Sequence, residues 1–203
     1  MKRSNSLLWL THIISRFYLP LKFEIQTRGV ENLPLKGPAL LIPKHQCWWD
    51  VPLLGTYIPR PLYFLAKQEL FNLRISRFYM SRIGGIPLDR QNPLRSLDTF
   101  RSLAPLIKEG AYLVLFPEGT YYPKTMGPGK WRLLQMILRL QQKEALAPIP
   151  FIPLGLRYET SRSKRTKVII SIGEPLSETD PSRAETFTSR IMKEVKALTG
   201  LGQ

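Results

Sequence analysis

The chain has 203 residues, 43% hydrophobic and 22% charged, with 30 Lys and Arg against 15 Asp and Glu. One domain with a substantial core is the simplest organisation at that length, and the formal charge of +15 asks for an anionic partner, either nucleic acid or anionic phospholipid. The single cysteine, Cys47, excludes an intramolecular disulfide framework and a multi-cysteine zinc site, and no apolar run approaches the ~20 residues of a membrane-spanning helix.

Residues 4–19 carry Leu7, Leu10, Ile14, Phe17 and Tyr18 at helical spacing. Lys2, Arg3, Arg16 and Lys22 flank them, with no acidic residue before Glu24. The pattern predicts an amphipathic helix that stops at Pro20 and suits the headgroup region of an anionic leaflet. Packing on the protein's own core is the other use of such a face. The stretch is too short, and lacks the small-residue cleavage site, for a signal peptide. The expected division is a membrane-associating helix over 1–22 and a single domain over 23–203.

A strand is expected at Phe23–Arg28, before a turn at Gly29, and a buried strand within 38–43. A short helix opens at Asp50 and ends before Pro59. A strand at 62–66 precedes a helical stretch at 69–82, and Gly85–Leu88 reads as another short strand. Asn92-Pro93 starts a helix that Pro105 interrupts and Gly110 ends. The clearest buried strand is 111–116. A helix at Trp131–Lys143, strands at 149–157 and 167–172, and a helix capped by Asp180 and running to 198 complete the chain. Alternating strands and helices predict an α/β fold with a mixed central sheet flanked by helices.

His45 and Asp50 stand five residues apart just after the 38–43 strand. Imidazole is the natural general base near neutral pH, and a carboxylate on its other nitrogen fixes tautomer and orientation. A surface His beside an Asp is the ordinary explanation of such a pair in isolation. No Gly-x-Ser-x-Gly turn is present, so direct attack by a substrate hydroxyl is simpler than a covalent intermediate. His45, Cys47 and Asp50 lack the spacing and fourth ligand of a zinc site, so no metal is expected. Downstream come Gly84-Gly85-Ile86-Pro87-Leu88-Asp89-Arg90 and Phe116-Pro117-Glu118-Gly119-Thr120, the second directly after a predicted strand, where α/β proteins place ligands.

In this ordered combination the chain resembles the PlsC-like glycerolipid acyltransferases over 37–174. His45 and Asp50 match that family's His-x-x-x-x-Asp motif, 84–90 its second block, 116–120 its third, and 150–154 its fourth, an apolar strand bearing proline. The resemblance implies acyl transfer from acyl-CoA or acyl-carrier protein, as co-substrate and without a cofactor, to a free hydroxyl of a lysolipid. The leading acceptor is lysophosphatidic acid; another lysophospholipid or a lyso-ornithine lipid is the alternative. It also implies His45 as general base, Asp50 as its orienting carboxylate, and Arg90, Gly119 and Thr120 as ligands of the acceptor phosphate. Glu118 would orient Arg90 or accept from the acceptor hydroxyl.

Two departures stand out. Lys44 precedes His45 where the family commonly has Asn or Ser, and Tyr121-Tyr122-Pro123 follow Thr120 where an Arg is frequent in lysophosphatidate-using members. Lys124 and Lys130 are the candidate replacements, and Lys44 is a further possible substrate or membrane contact. Trp48 and Trp49 either line an acyl entrance or membrane-facing rim, or pack and anchor. Arg157, Arg162, Lys164, Arg165 and Lys167, opposed only by Glu159, either meet headgroups or CoA phosphates or form a solvated charged loop. The expected partners are an anionic membrane surface, a lysolipid and an acyl donor, at the cytoplasmic face of the cell membrane. Charge alone supports a nucleic-acid-binding or non-catalytic lipid-binding module; no zinc-finger or RNP-like motif accompanies it.

Overall fold

The structure, a computed structural model, describes residues 3–89, 93–159 and 164–201. Arg90, Asn92 and Arg162 lie outside the described residues.

Seven strands form one sheet in the order β1-β7-β6-β2-β5-β3-β4. Their ranges are β1 Phe23–Arg28, β2 Ala39–Pro43, β3 Leu62–Lys67, β4 Gly85–Leu88, β5 Tyr112–Val114, β6 Phe151–Glu159 and β7 Thr166–Ile172. The five strands from β6 to β4 are parallel; β7 pairs antiparallel with β6, and β1 runs parallel to β7. The short β6–β7 connection forces the reversal, whereas each parallel step needs a helical crossover. Those helices are α2 Asp50–Tyr57, α3 Arg74–Arg82, α4 Pro93–Lys108 and α5 Trp131–Lys143; α1 Asn5–Lys22 precedes the sheet and α6 Ala184–Thr199 closes the chain.

Every residue of β2 is buried, because parallel strands are covered on both faces. Leu40 and Ile42 face a core made with α4, α5 and α6. Ala39 and Leu41 face a second core, with Leu19 of α1 and Leu53 and Leu54 of α2. This mixed sheet flanked by helices is the architecture the alternation predicts.

Several boundaries differ from the sequence reading. Helix α1 continues past Pro20 to Lys22, where the Phe23 N–H caps the Leu19 carbonyl; a proline so near the end disturbs only the last turn. The stretch at 69–82 is two elements, a 3-10 turn at Gln68–Phe71 and α3, parted by extended Leu73. Arg77 Nε donates to the Phe71 carbonyl at 2.9 Å and Ser76 Oγ to Leu70, so side chains satisfy the broken turn. Pro105 does not interrupt α4, which reaches Lys108. Asp180 caps a 3-10 turn at Pro181–Arg183 rather than α6 itself. Among the described residues, no helix is long and apolar enough to cross a membrane.

Gly155 in β6 lets the last turn of α6 press against the strand: a Cβ there would overlap the Leu198 backbone carbonyl. Gly155→Ala is therefore expected to destabilise by about 2 kcal/mol through overpacking. That lowers Tm by roughly 5 °C in a chain of this size. An unchanged Tm in calorimetry would contradict this seating of α6.

Candidate active site

The site forms where β2, β5 and β6 end side by side. The β2–β6 ladder runs one residue past the strand, with the Lys44 N–H donating to the Leu154 carbonyl at 3.0 Å, so His45 leaves from a pinned backbone. Five residues later the chain enters α2. Asp50, in its first turn and fully buried, points back at that connection.

Five groups converge on the Asp50 carboxylate, the Cys47 thiol at 3.8 Å from Oδ1 among them. Oδ2 accepts from His45 Nδ1 at 2.9 Å, the Gln46 N–H at 2.6 Å and the Cys47 N–H at 3.0 Å. Oδ1 accepts from the Tyr158 hydroxyl at 2.6 Å. A buried carboxylate survives only when so satisfied. An acceptor-only carboxylate facing Nδ1 places a ring hydrogen there, so in the neutral imidazole Nε2 is the nitrogen with the lone pair. The imidazole stacks on Phe116, with centroids 3.8 Å apart, and meets Tyr121 edge-on at 4.3 Å. Its orientation is thus fixed by a hydrogen bond and two ring contacts.

Burial pushes the Tyr158 hydroxyl far above its ordinary pKa, and the Asp50 charge and hydrogen bond add to the effect, so it is a permanent donor. Burial also raises the Cys47 thiol, with the Asp50 charge contributing. A thiol held protonated is a poor nucleophile.

The third-block turn comes alongside. Leu115 N–H donates to Leu41 O at 3.0 Å, carrying the β2–β5 pairing to the motif. Lys44 and Glu118, both 0% exposed at the side chain, form an ion pair at 2.8 Å. This corrects two expectations. Lys44 does not reach substrate or membrane, because its ammonium is enclosed by Glu118, the Tyr122 carbonyl and the His45 carbonyl. Glu118, expected to orient Arg90 or accept from the acceptor hydroxyl, instead has its oxygens engaged, among the described residues, by Lys44, the His45 N–H at 3.0 Å and the Gly127 N–H at 2.6 Å.

Gly119 is also used differently. Its N–H donates within the turn to the Phe116 carbonyl at 3.2 Å rather than lying open for a phosphate. At φ +73° it leaves room for Lys130, whose Nζ would lie 2.8 Å from a Cβ at that position. Exposed Lys130 and exposed Thr120 therefore flank the same turn, and Lys124 stands exposed nearby on the loop. Trp49 packs between Phe23 and Tyr18, with Lys22 Nζ 4.3 Å from its ring, so it ties the motif to α1. Trp48 stacks on Trp49 and is 57% exposed.

Sequence reasoning missed Tyr158 and Gln46, and it named Phe116 and Tyr121 without their contacts to the His45 ring. Gln46 Nε2 donates to the Leu156 carbonyl and its Oε1 accepts from the Lys124 N–H at 3.2 Å. Tyr158 had no local signal, since only the sheet order brings β6 beside the motif. If its hydroxyl helps hold Asp50, Tyr158→Phe is expected to lower kcat/KM about tenfold, by loss of a hydrogen bond to a charged group. An unchanged kcat/KM in a folded variant would remove Tyr158 from this account.

A family model described as Acyltransferase matches residues 24–157. The chain is 28% identical over 192 residues to a 1-acyl-sn-glycerol-3-phosphate acyltransferase of Bacillus subtilis, covering 89% of this chain and 90% of that one. It is 32% identical over 107 residues to a lyso-ornithine lipid O-acyltransferase of Pseudomonas aeruginosa, covering 53% of this chain and 39% of the other. The chain spans only 30% to 60% of the length of several other curated relatives. The crystal structure of the 1-acyl-sn-glycerophosphate acyltransferase PlsC from Thermotoga maritima shares the fold, with TM-score 0.65 at 21% identity over 94% of this chain and 80% of that one. Since the family model takes in more than half of the sequence, the chain belongs to the acyltransferase family.

Proposed function

We propose that this acyltransferase moves a fatty acyl group from acyl-CoA or acyl-carrier protein to the free hydroxyl of lysophosphatidic acid, giving phosphatidic acid. The observation that carries the proposal is a histidine whose Nδ1 is bound by buried Asp50 and whose Nε2 has no hydrogen-bond partner among the described residues. Nε2 takes the hydroxyl proton as the oxygen attacks the thioester carbonyl. Asp50 stabilises the imidazolium. The tetrahedral intermediate collapses, the carbon–sulfur bond breaks, and the imidazolium returns its proton to the leaving sulfur. A thiol with a pKa near ~8.5 leaves readily. No cofactor or metal enters this scheme.

Lys130 and Thr120 beside the Gly119 turn support an anionic acceptor, as does the Bacillus relative's name. Arg90, whose role comes from the family resemblance, is the further phosphate ligand in this reading. One observation favours a second acceptor: Tyr121, packed against His45, stands where an Arg is frequent in lysophosphatidate-using members. A lyso-ornithine lipid or another lysophospholipid fits that loss of charge, and one relative carries that activity in its name.

The reaction is proposed to run on the cytoplasmic face of the membrane, with the protein docked peripherally. Trp9, Ile14, Phe17 and Leu21 of α1 are exposed, and so are Ile75 and Phe78 of α3 with Leu73 before it. The Ser4 N–H donates to the Arg82 carbonyl at 2.9 Å, joining the two helices. Neither helix contains an acidic residue, while Arg16, Lys22, Arg74, Arg77 and Arg82 are basic. Exposed aromatic and aliphatic side chains among cations suit an anionic bilayer surface.

Incubating labelled acyl-CoA or acyl-carrier protein with a panel of lysolipids tests the acceptor. Transfer to lysophosphatidic acid, reduced at least ~10³-fold in His45→Ala, is expected for loss of the general base. Transfer only to another lysolipid would overturn the acceptor, and no transfer from either donor would overturn the enzyme reading. In flotation with vesicles containing anionic phospholipid, Phe17→Asp and Phe78→Asp are each expected to weaken binding about tenfold or more. Undiminished binding by both would contradict this docking face.

A further inference from the structure

The Lys44–Glu118 pair has a place in catalysis that neither residue type announces. A buried ion pair stabilises little by itself, because removing two charges from water offsets most of their attraction. Its position is the informative part. Glu118 Oε2 accepts the His45 N–H at 3.0 Å, while Lys44 Nζ donates to the His45 carbonyl at 3.1 Å. The same carbonyl accepts the Tyr122 N–H at 2.9 Å, and Lys44 Nζ also donates to the Tyr122 carbonyl at 2.8 Å. Both backbone polar groups of the catalytic histidine are therefore held by the third-block turn, through one buried cation and one buried anion.

We propose that Lys44 is a positioning residue: paired with Glu118, it clamps the His45 main chain to the 118–122 turn and so sets where Nε2 meets the acceptor hydroxyl. Asp50 fixes the ring about its own axis; the clamp fixes the backbone that carries it. The pair also cancels the Glu118 charge next to the Gly119–Lys130 corner, where an anionic acceptor is proposed to sit. Without Lys44, a naked carboxylate would be left in the turn and would repel that acceptor. This second consequence rests on the proposed acceptor; the clamp itself does not.

The test uses the full chain and three variants, Lys44→Met, Glu118→Gln and Lys44→Met/Glu118→Gln, assayed well below each Tm. Lys44→Met strands a buried carboxylate and is expected to lower kcat about 30-fold or more, since small misplacements at a reacting centre cost up to ~10²-fold. It is also expected to raise KM more for a phosphate-bearing acceptor than for an uncharged monoacylglycerol. The double variant, with no unpaired charge, is expected to recover several-fold over Lys44→Met, as coupled neighbours do.

Amide hydrogen exchange gives a readout independent of turnover. In Lys44→Met the His45 and Tyr122 amides are expected to lose protection while Leu41 keeps it. Unchanged kcat with lowered Tm would reduce the pair to a structural one and overturn the proposal. A double variant with full wild-type kcat would do the same, since it too lacks the Lys44 contact to His45, as would intact His45 protection in Lys44→Met. If Lys44→Met does not fold, exchange and kcat of the double variant against wild type and Glu118→Gln decide. Wild-type protein that acylates nothing would sink the functional reading, and the exchange result would still judge the clamp.

Discussion

The Asp50 carboxylate is the constraint on which the site depends. It is fully buried and, among the described residues, forms no ion pair with a lysine or arginine; its charge is held by the imidazole, two backbone N–H groups and the Tyr158 hydroxyl. The backbone donors come from the turn between β2 and α2, so the same group that orients His45 also folds the connection that presents it. Tyr158 arrives from β6, four positions beyond the last β2–β6 pair at Pro43 and Leu154 in the direction of the site. The catalytic geometry is therefore a consequence of sheet order as well as of the motif.

A second consequence follows from placing β5 on the other side of β2. The third-block turn lands against the first, and its glutamate and the lysine before His45 neutralise each other in a space that water does not reach. The two buried pairs thus do different work. In the proposed reaction His45 and Asp50 form the reacting pair, and Lys44 and Glu118 the frame around it. On the opposite side, Trp49 joins the motif to α1 through Tyr18, Phe23 and Lys22. Any docking of α1 on a bilayer would then be felt within a few residues of His45.

Much of this was legible in the sequence because it is local. The five-residue step from His45 to Asp50 encodes one turn, the alternation of apolar segments encodes a layered sheet, and Leu40, Leu41 and Ile42 form an unbroken buried run, as a strand covered on both faces requires. What was illegible is non-local. Tyr158 lies 108 positions from Asp50, and nothing in its own segment marks it. Lys44 and Glu118 looked like substrate ligands because charged residues in a motif are ordinarily exposed; that they meet each other, 74 positions apart, follows only from β2 and β5 being neighbours. The split at Leu73 was hidden because an apolar residue at helical spacing gives no sign that its backbone is extended.

The account turns on one atom, the unprotonated Nε2 of His45. Long-range proton–nitrogen NMR of the imidazoles reads it directly, and with only two histidines in the chain, His12 and His45, the His45→Ala variant assigns the signals. The expected result is a neutral ring with its hydrogen on Nδ1, strongly deshielded by Asp50, and a bare Nε2. A ring protonated on Nε2 with Nδ1 bare would contradict the arrangement and remove His45 as the base that deprotonates the acceptor.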